Sequence, residues 1–218
     1  MLCSLLEPAA VFADVGCDHG YCTEYMLKNS LCSRAIFSDI SRGSLAKAER
    51  LLSPYIREGR AEGRLGDGLR CAPGADEVLI AGMGGREIVG ILSDENYGYL
   101  PEKFLFQPMH DAELLRRYLV GAGAFLERDF TFRDGKFYDV VKGRRLREGE
   151  PPQDYSSAEY AFGRENLRER PKAFLERTEK QLREVEGYLS VPGLGERSRE
   201  ELLVRKKKLE GVLKNAAE

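Results

Sequence analysis

Histidine is scarce in this chain, which limits the metal chemistry that it can support. Its 218 residues include two histidines, His19 and His110, which stand far apart in the sequence. The cysteines are odd in number, and their spacing is not that of zinc ligands. We therefore expect no metal site and interpret the cysteines as free thiols in a reducing cytoplasm. They are Cys3, Cys17, Cys22, Cys32 and Cys71.

Long apolar runs and a targeting signal are also absent from the sequence. No run approaches the roughly 20 apolar residues that cross a bilayer, and the N-terminus has neither a basic region nor a cleavage site. Neither sign of charge dominates, because 34 Lys and Arg face 36 Asp and Glu. The composition predicts a cytoplasmic protein with no membrane contact and no evident obligate protein partner. Any RNA contact must then use a local basic face.

The first 147 residues alternate between strand-like and helix-like segments. Asp134-Gly135 predicts a hairpin turn between the last two strands. Alternating strands and helices followed by a hairpin predict an α/β fold with a mostly parallel sheet and one antiparallel edge. The predicted strands cover 9–13, 35–38, the end of a third strand at 64–68, 78–81, 104–107, 125–132 and 137–141; the predicted helices cover 23–27, 45–52, 86–92 and 112–119.

The pattern changes after residue 147, so we divide the chain into domains at 1–147 and 148–218. Pro151-Pro152 marks a linker, and apolar residues from Leu175 to Leu189 then recur in steps of three and four. A break at 191–195 precedes a second helical stretch, which carries the basic run 205–208. This pattern predicts an antiparallel helical hairpin. Its charges either solvate the outer faces of the helices, the commoner case, or form a binding surface.

A glycine-containing turn between the first strand and the first helix is the main functional signal. Gly16 and Gly20 lie where backbone N–H groups and the positive end of a helix dipole can meet a ligand. Asp39 ends the next strand, at about the 20-residue distance typical of a ribose-binding carboxylate. Asp14 and Asp18 flank the glycines and disfavour a pyrophosphate. The loop suits a cationic cofactor without phosphate, which points to S-adenosylmethionine.

The chain carries five sequence motifs, at residues 14–21, 38–40, 66–69, 80–85 and 134–138. Taken together, they resemble the bacterial tRNA (adenine-22-N1)-methyltransferase family, TrmK. The resemblance runs in order from Leu5 to about Val141, and the tail is similar to the family's C-terminal domain. It implies a Rossmann-like class I methyltransferase domain with a mostly parallel seven-stranded sheet, S-adenosyl-L-methionine as cofactor and tRNA as substrate.

Four residues, at three places in the sequence, depart from the family pattern. Cys22-Thr23 stand where Leu-Pro usually follows the motif tyrosine, and Ser44 replaces a usual proline. Met109 occupies a place where an asparagine commonly follows Gln-Pro, which removes any base contact by that side chain.

The cofactor residues follow from the loop and the resemblance. The two glycines let the backbone approach the cofactor, and Asp39 accepts the ribose hydroxyls unless it only caps the next helix. Asp67 accepts the cofactor's adenine amine unless it only forms a turn, and Cys17 and Met83 line the pocket as apolar groups. The predicted set is Asp14, Gly16, Cys17, Asp18, His19, Gly20, Asp39, Ile40, Asp67, Gly68, Ala81, Gly82 and Met83.

Asp18 is the predicted catalytic residue. Adenine becomes cationic as its N1 is methylated, so a carboxylate facing the N6 amine stabilises the developing charge, and removing such a group costs about 10²–10³-fold in rate. The other reading is that Asp18 closes the loop by accepting backbone N–H groups. His19 orients Asp18, touches the cofactor or is structural, and the turn 82–85 leaves room for the base.

The RNA contacts are expected on basic residues near strand ends and in the tail. Arg86, Arg116, Arg117, Lys136, Arg144 and Arg145 are candidate phosphate contacts, each with surface solvation as the default. The predicted substrate residues are Gly84, Gly85, Arg86, Gln107, Lys136, Tyr138, Arg205, Lys206, Lys207 and Lys208.

Three alternatives to a tRNA methyltransferase stay open. A methyltransferase acting on another RNA, a protein or a small molecule is the first; for a small molecule or protein, a lid domain would be expected. The second is a non-catalytic tRNA-binding protein with a retained cofactor fold. A nicotinamide-dependent enzyme is the third, and acidic Asp18 in the glycine loop disfavours it.

Overall fold

A seven-stranded sheet organises the protein, whose computed structural model describes residues 1–214. The last four residues of the predicted second domain, 215–218, lie outside the described residues. The strands are β1 (Ala9–Val15), β2 (Cys32–Asp39), β3 (Ala61–Leu65), β4 (Glu77–Met83), β5 (Lys103–Pro108), β6 (Ala124–Asp134) and β7 (Lys136–Arg145). The helices are α1 (Tyr21–Lys28), α2 (Arg42–Leu51), α3 (Ser53–Arg57), α4 (Gly85–Leu92), α5 (Ala112–Gly121), α6 (Ser157–Phe162), α7 (Arg164–Glu169), α8 (Lys172–Leu189) and α9 (Glu196–Lys214).

The strand order is β3-β2-β1-β4-β5-β7-β6, and this confirms the predicted α/β sheet. Strands β1 to β5 pair in parallel, whereas β7 is antiparallel to both β5 and β6. The predicted hairpin therefore lies at the edge of the sheet. Its antiparallel member, β7, is second from that edge, and the edge strand β6 runs in the same direction as β5.

The central strands are apolar because helices cover both faces of the sheet. Val78, Leu79 and Ile80 of β4 are fully buried and belong to two core clusters, one on each face. Crossover helices carry the chain back between the parallel strands, so the loops after β1, β2, β4 and β5 meet at one edge. That edge is where a ligand site is expected.

Two short helices, α6 and α7, follow the predicted linker and were not foreseen from the sequence. They pack against α5 and β6, which places the chain up to Glu169 on the flank of the sheet. The boundary at residues 147 and 148 stays a prediction.

The predicted helical hairpin is formed by α8 and α9, which pack against each other. Thr178 and Val185 of α8 are buried, as are Leu209 and Val212 of α9. Within residues 1–214, no helix combines the length and apolar character that a membrane crossing requires.

Candidate active site

A cavity of about 1150 Å³ opens at the edge where β1, β2, β4 and β5 end. It is lined by twelve of the thirteen predicted cofactor residues, together with Gln107 from the predicted substrate set. The exception is Gly20, whose Cβ position would lie 3.0 Å from the Ala48 Cβ. Gly20 thus has a left-handed backbone and faces α2. Gly20 was expected to let the backbone approach the cofactor, and its position against α2 differs from that expectation.

The loop after β1 is held by hydrogen bonds to β2. The Gly16 and Cys17 N–H groups donate to the Ser38 carbonyl oxygen at 2.8 and 3.0 Å. Gly16 has φ +77°, and a Cβ there would overlap the end of the Met83 side chain. The left-handed φ favours glycine at this turn, whereas the flexible end of the Met83 side chain could move away from a Cβ.

Cys17 lines the cavity as a neutral thiol. Burial, together with the nearby carboxylates of Asp14 and Asp39, raises the pKa of the Cys17 thiol. A protonated thiol is a poor nucleophile, so the role of Cys17 as an apolar wall for a cofactor stays a prediction.

Asp39 is held by two backbone donors. Its Oδ2 accepts from the Asp18 N–H at 3.2 Å and its Oδ1 from the Ser41 N–H at 2.7 Å. The cap of α2 is Ser41, whose hydroxyl accepts from the Ser44 N–H. Asp39 is therefore not a helix cap, and each carboxylate oxygen keeps a lone pair for a ligand.

Asp14 is buried, with 5% of its surface exposed, and faces a hydroxyl that sequence reasoning missed. The Thr23 Oγ1 donates to Asp14 Oδ2 at 2.9 Å. Burial raises the pKa of Asp14 to about 6, and the Thr23 hydrogen bond opposes that rise. The only signal in the sequence was a hydroxyl residue early in the helix after the glycine turn.

Asp18 lies at the mouth of the cavity, with 60% of its side chain exposed. Its Oδ2 is 2.6 Å from His19 Nδ1, and its Oδ1 is 3.4 Å from the Lys47 ammonium. The hydrogen bond from His19, aided by the charge of Lys47, lowers the pKa of Asp18. His19 thus orients Asp18, one of the roles considered for it. Lys47 was not foreseen because it comes from α2.

The cavity is strongly acidic. Carboxylates outnumber basic side chains, since Arg70 is the only Lys or Arg among its lining residues. Such a surface attracts a cation and repels a phosphate. The carboxylates are Asp14, Asp18, Asp39, Asp67, Glu87 and Asp94.

The glycines after β4 do different things. Gly82 has φ +77° and open space at its Cβ position, which fits the predicted room for a ligand. Cβ atoms on Gly84 and Gly85 would instead collide with His110 and the backbone of Asp111. These two glycines admit the loop after β5, and they do not line the cavity. This corrects the expectation that all of the turn clears space for a base.

The candidate phosphate contacts divide into paired and exposed groups. Arg116 is wrongly predicted, because it is 1% exposed and lies 2.7 Å from the Asp129 carboxylate. Arg144 is mostly buried and is paired with Glu150. Arg117 bonds Glu113 at the surface. The exposed members without a recorded ion pair among residues 1–214 are Arg86, Lys136 and Arg145.

The remaining predicted substrate residues lie outside the cavity. Tyr138 stacks on Phe132 with ring centroids 5.3 Å apart. Lys206 lies 2.9 Å from Glu186, so it is neutralised within the hairpin. Of the predicted basic run 205–208, the exposed residues are Arg205, Lys207 and Lys208. Among residues 1–214, no group of three His, Cys, Asp or Glu side chains could hold a metal ion.

Comparison with known proteins gives consistent matches. The model of the family TrmK, described as tRNA (adenine(22)-N(1))-methyltransferase, matches residues 12–213. A tRNA (adenine(22)-N(1))-methyltransferase from Bacillus subtilis is 34% identical over 138 residues. That match covers 61% of this chain and spans 57% of the relative's length.

Solved structures share the whole fold. The crystal structure of the Bacillus subtilis m1A22 tRNA methyltransferase TrmK superposes with a TM-score of 0.83 at 26% identity, covering 97% of this chain and 95% of that one. A Streptococcus pneumoniae protein, solved in complex with S-adenosyl-L-methionine, gives 0.84 at 22% identity with 97% and 96% coverage.

Proposed function

Because the chain belongs to the TrmK family of tRNA (adenine(22)-N(1))-methyltransferases, we propose that it transfers a methyl group from S-adenosyl-L-methionine to N1 of adenine 22 in tRNA. The observation that carries this proposal is the acidic cavity at the ends of β1, β2, β4 and β5. Nearly all of the residues proposed for the cofactor meet there. They come from four separate parts of the sequence.

The donor set of the cavity fits S-adenosylmethionine. When bound, this cofactor supplies an electrophilic methyl group on a sulfonium. The fixed Asp39 carboxylate has a free lone pair on each oxygen for the two ribose hydroxyls. Buried Asp14 supplies negative charge for the cationic part of the cofactor. Cys17 and Met83 provide the apolar wall, and Asp67 accepts the adenine amine.

Asp18 is the proposed catalytic carboxylate. The attacking group is the N1 lone pair of adenine, so the protein has no nucleophile to provide. Asp18 stands at the mouth and is kept ionised by His19 and Lys47. An ionised acceptor facing the N6 amine stabilises the positive charge that develops on the base. His19 acts as the positioning residue for that acceptor.

The tRNA is proposed to contact both parts of the chain, in the cytoplasm where tRNA is found. Residues 1–147 would form the catalytic domain and residues 148–218 the recognition hairpin. Arg86 and Lys136 are exposed on the catalytic side, and Arg205, Lys207 and Lys208 are exposed on α9. Adenine N1 is engaged in folded tRNA, so the base must be exposed at a cost of a few kcal/mol.

The direct test is incubation of the purified protein with labelled S-adenosylmethionine and tRNA, followed by nucleoside analysis. We expect 1-methyladenosine at position 22 and none when adenine 22 is replaced by guanine. Label in a different nucleoside would contradict the position, and label in neither tRNA would contradict the activity. Label recovered with small molecules would instead favour the small-molecule alternative.

A further inference from the structure

The side-chain amide nitrogen of Gln107 is a hydrogen-bond donor that makes only a weak contact among the described residues. Gln107 lies on β5, is 4% exposed and lines the cavity. Its Oε1 accepts from the Gly82 N–H at 3.1 Å, which fixes which way the amide points. The Nε2 lies 3.7 Å from the Met109 thioether sulfur. Sulfur is a weak acceptor, and the amide nitrogen carries two hydrogens.

The position of Gln107 in the sheet separates it from the glycine loop and from Asp39, although it adjoins Ala81 and Gly82 of the proposed cofactor set. The glycine loop follows β1 and Asp39 ends β2, whereas β5 lies beyond β4 on the other side. Gln107 pairs in register with Ala81, beside the open turn at Gly82. The Gln107 amide therefore lines the part of the cavity that is farther from Asp39 and the glycine loop.

We propose that the Gln107 amide donates a hydrogen bond to a ring nitrogen of the target adenine other than N1. The inference rests on the proposed function. Adenine offers N3 and N7 as acceptors, while N1 is the attacking atom and N6 is a donor to Asp18. A donor to N3 or N7 fixes the rotation of the base in the cavity. A donor to N7 also rejects pyrimidines, which have no N7.

Atom deletion in the RNA tests this contact. Transfer RNAs carrying adenine, 3-deazaadenine or 7-deazaadenine at position 22 are compared with wild-type protein and with Gln107→Glu. The variant keeps an acceptor for the Gly82 N–H but loses the amide donor. We expect kcat/KM on the adenine tRNA to fall about tenfold or more, with unchanged S-adenosylmethionine affinity by calorimetry.

The double comparison gives the decisive result. Deleting the contacted nitrogen should slow the wild-type protein and have little further effect on Gln107→Glu, and the sensitive analogue identifies N3 or N7. Changes in N1 basicity affect both proteins alike and cancel. Independent effects for both analogues, or a parallel loss of cofactor affinity, would overturn the assignment. No methylation of the adenine tRNA by wild-type protein would instead refute the proposed function.

A second, independent observation concerns two cysteines beside the cavity. The Sγ atoms of Cys3 and Cys22 are 3.7 Å apart, although the residues lie 19 positions apart in the chain. Both are half-buried, and Cys22 lines the cavity. A hydrogen bond from the Cys22 thiol lowers the pKa of Cys3 to about 7. The same hydrogen bond raises the pKa of Cys22, and burial raises the pKa of Cys32 to about 11, so Cys3 is the member of the pair that supplies the thiolate.

We propose that Cys3 and Cys22 are a hydroperoxide-sensitive dithiol. The Cys3 thiolate attacks the hydroperoxide, the O–O bond breaks, and the alkoxide leaves with a proton as an alcohol. The resulting Cys3 sulfenic acid reacts with Cys22, an S–S bond forms, and the hydroxyl leaves with the Cys22 proton as water. Two thiols are oxidised, and one hydroperoxide is reduced to alcohol and water.

Peptide mapping after hydrogen peroxide treatment tests the dithiol. Cleavage before Asp14 and Asp18 separates residues 1–13, which contain Cys3, from residues 18–38, which contain Cys22, and a disulfide keeps these peptides joined. We expect the joined species in wild-type protein and in Cys17→Ser, and its loss in Cys22→Ser and after reduction. A joined peptide that persists in Cys22→Ser, or sulfinic acid on Cys3 with Cys22 still reduced, would overturn the proposal.

Discussion

Asp14 and Asp18 stand four residues apart in one loop but have opposite electrostatic environments. Asp14 is buried against Thr23, and its pKa is raised to about 6. Asp18 is exposed beside His19 and Lys47, and its pKa is lowered. The loop therefore holds one carboxylate that titrates near neutral pH and one that stays ionised. Burial of Asp14 and the hydrogen bond from His19 to Asp18 separate the two residues in charge state.

Cofactor affinity should depend on pH through Asp14. Only the ionised form attracts a cation, so affinity should be full above about pH 6.5 and should fall as the pH drops through about 6. Asp14→Asn should bind more weakly at neutral pH and lose this dependence. Calorimetric titrations between pH 5 and 8 measure both effects. An unchanged pH profile in the variant would exclude Asp14 as the titrating group.

Asp39→Ala should reduce S-adenosylmethionine affinity at least about tenfold, or about 1.4 kcal/mol. The variant loses both hydroxyl acceptors and the hydrogen bonds that fix the loops at Asp18 and Ser41. Calorimetry measures the affinities. Asp39→Asn is the matched control, because it removes the charge of the side chain and keeps its shape. Unaltered binding by the alanine variant would refute the ribose assignment.

Asp18→Asn should lower turnover about 10²–10³-fold with cofactor affinity nearly unchanged, because the proposed partner of Asp18 is the base. Single-turnover rates with tRNA and cofactor titrations on the same protein separate the two quantities. If both fall together, Asp18 is a cofactor ligand and its catalytic role is wrong.

At the scale of elements, β6 is an edge strand whose open side is covered by the segment that contains α6 and α7. Glu165 accepts from the Asp129 N–H at 3.0 Å, and Asn166 accepts from the Thr131 N–H at 2.8 Å. These side chains cover backbone donors that an edge strand would otherwise expose. Arg116 of α5 joins the network through Asp129 and the Tyr160 carbonyl oxygen. Residues 157–169 are thus part of the sheet's structural support.

Arg116→Met should destabilise the protein by about 3–5 kcal/mol, because it leaves the buried Asp129 carboxylate without its cation. Arg116→Met combined with Asp129→Leu should recover much of that loss. Urea unfolding measures the free energies, and Arg117→Met is the control, since its exposed pair with Glu113 contributes at most about 1 kcal/mol. Equal losses for the two arginine variants would contradict the assignment.

At the scale of the molecule, a nearly neutral chain separates its charges. The cavity is acidic, whereas α9 exposes Arg205, Lys207 and Lys208. Arg205 and Lys208 share a second cavity, of about 380 Å³, with Glu113 in the first turn of α5. That turn begins soon after β5, so these basic residues lie toward the same edge of the sheet as the active site. One tRNA could then contact both.

Reversing these charges in the full chain tests the hairpin without removing buried contacts. A chain that ended at Glu150 would be a poorer test, because it would lose buried contacts. These are the hydrogen bonds of Glu165 and Asn166 to β6 and the ion pair of Arg177 with Asp139. The variant with Arg205, Lys207 and Lys208 changed to Glu should bind tRNA more weakly. The slope of the logarithm of affinity against the logarithm of salt concentration should become shallower by about 0.9 for each lost phosphate contact. Its cofactor affinity should not change.

The matched control makes the same charge change at the opposite edge of the sheet. Lys28, Arg50 and Arg57 end α1, α2 and α3, and all three are exposed. Changing them to Glu should affect tRNA binding much less, as measured by filter binding across salt concentrations. Equal weakening in both variants would mean that net charge, and not the hairpin, governs recognition.

The sequence by itself determined the alternation of strands and helices, the helical hairpin, and the glycine loop with Asp14, Asp18 and Asp39. These follow from local periodicity and turn chemistry, which neighbouring residues carry. The tertiary structure decided the partners: Thr23 on Asp14, Lys47 on Asp18, and Gln107 on Gly82. It also showed that Arg116, which was predicted at the surface, is buried. Which side chains meet, and which lose water, depends on packing between distant segments, and no local pattern encodes that.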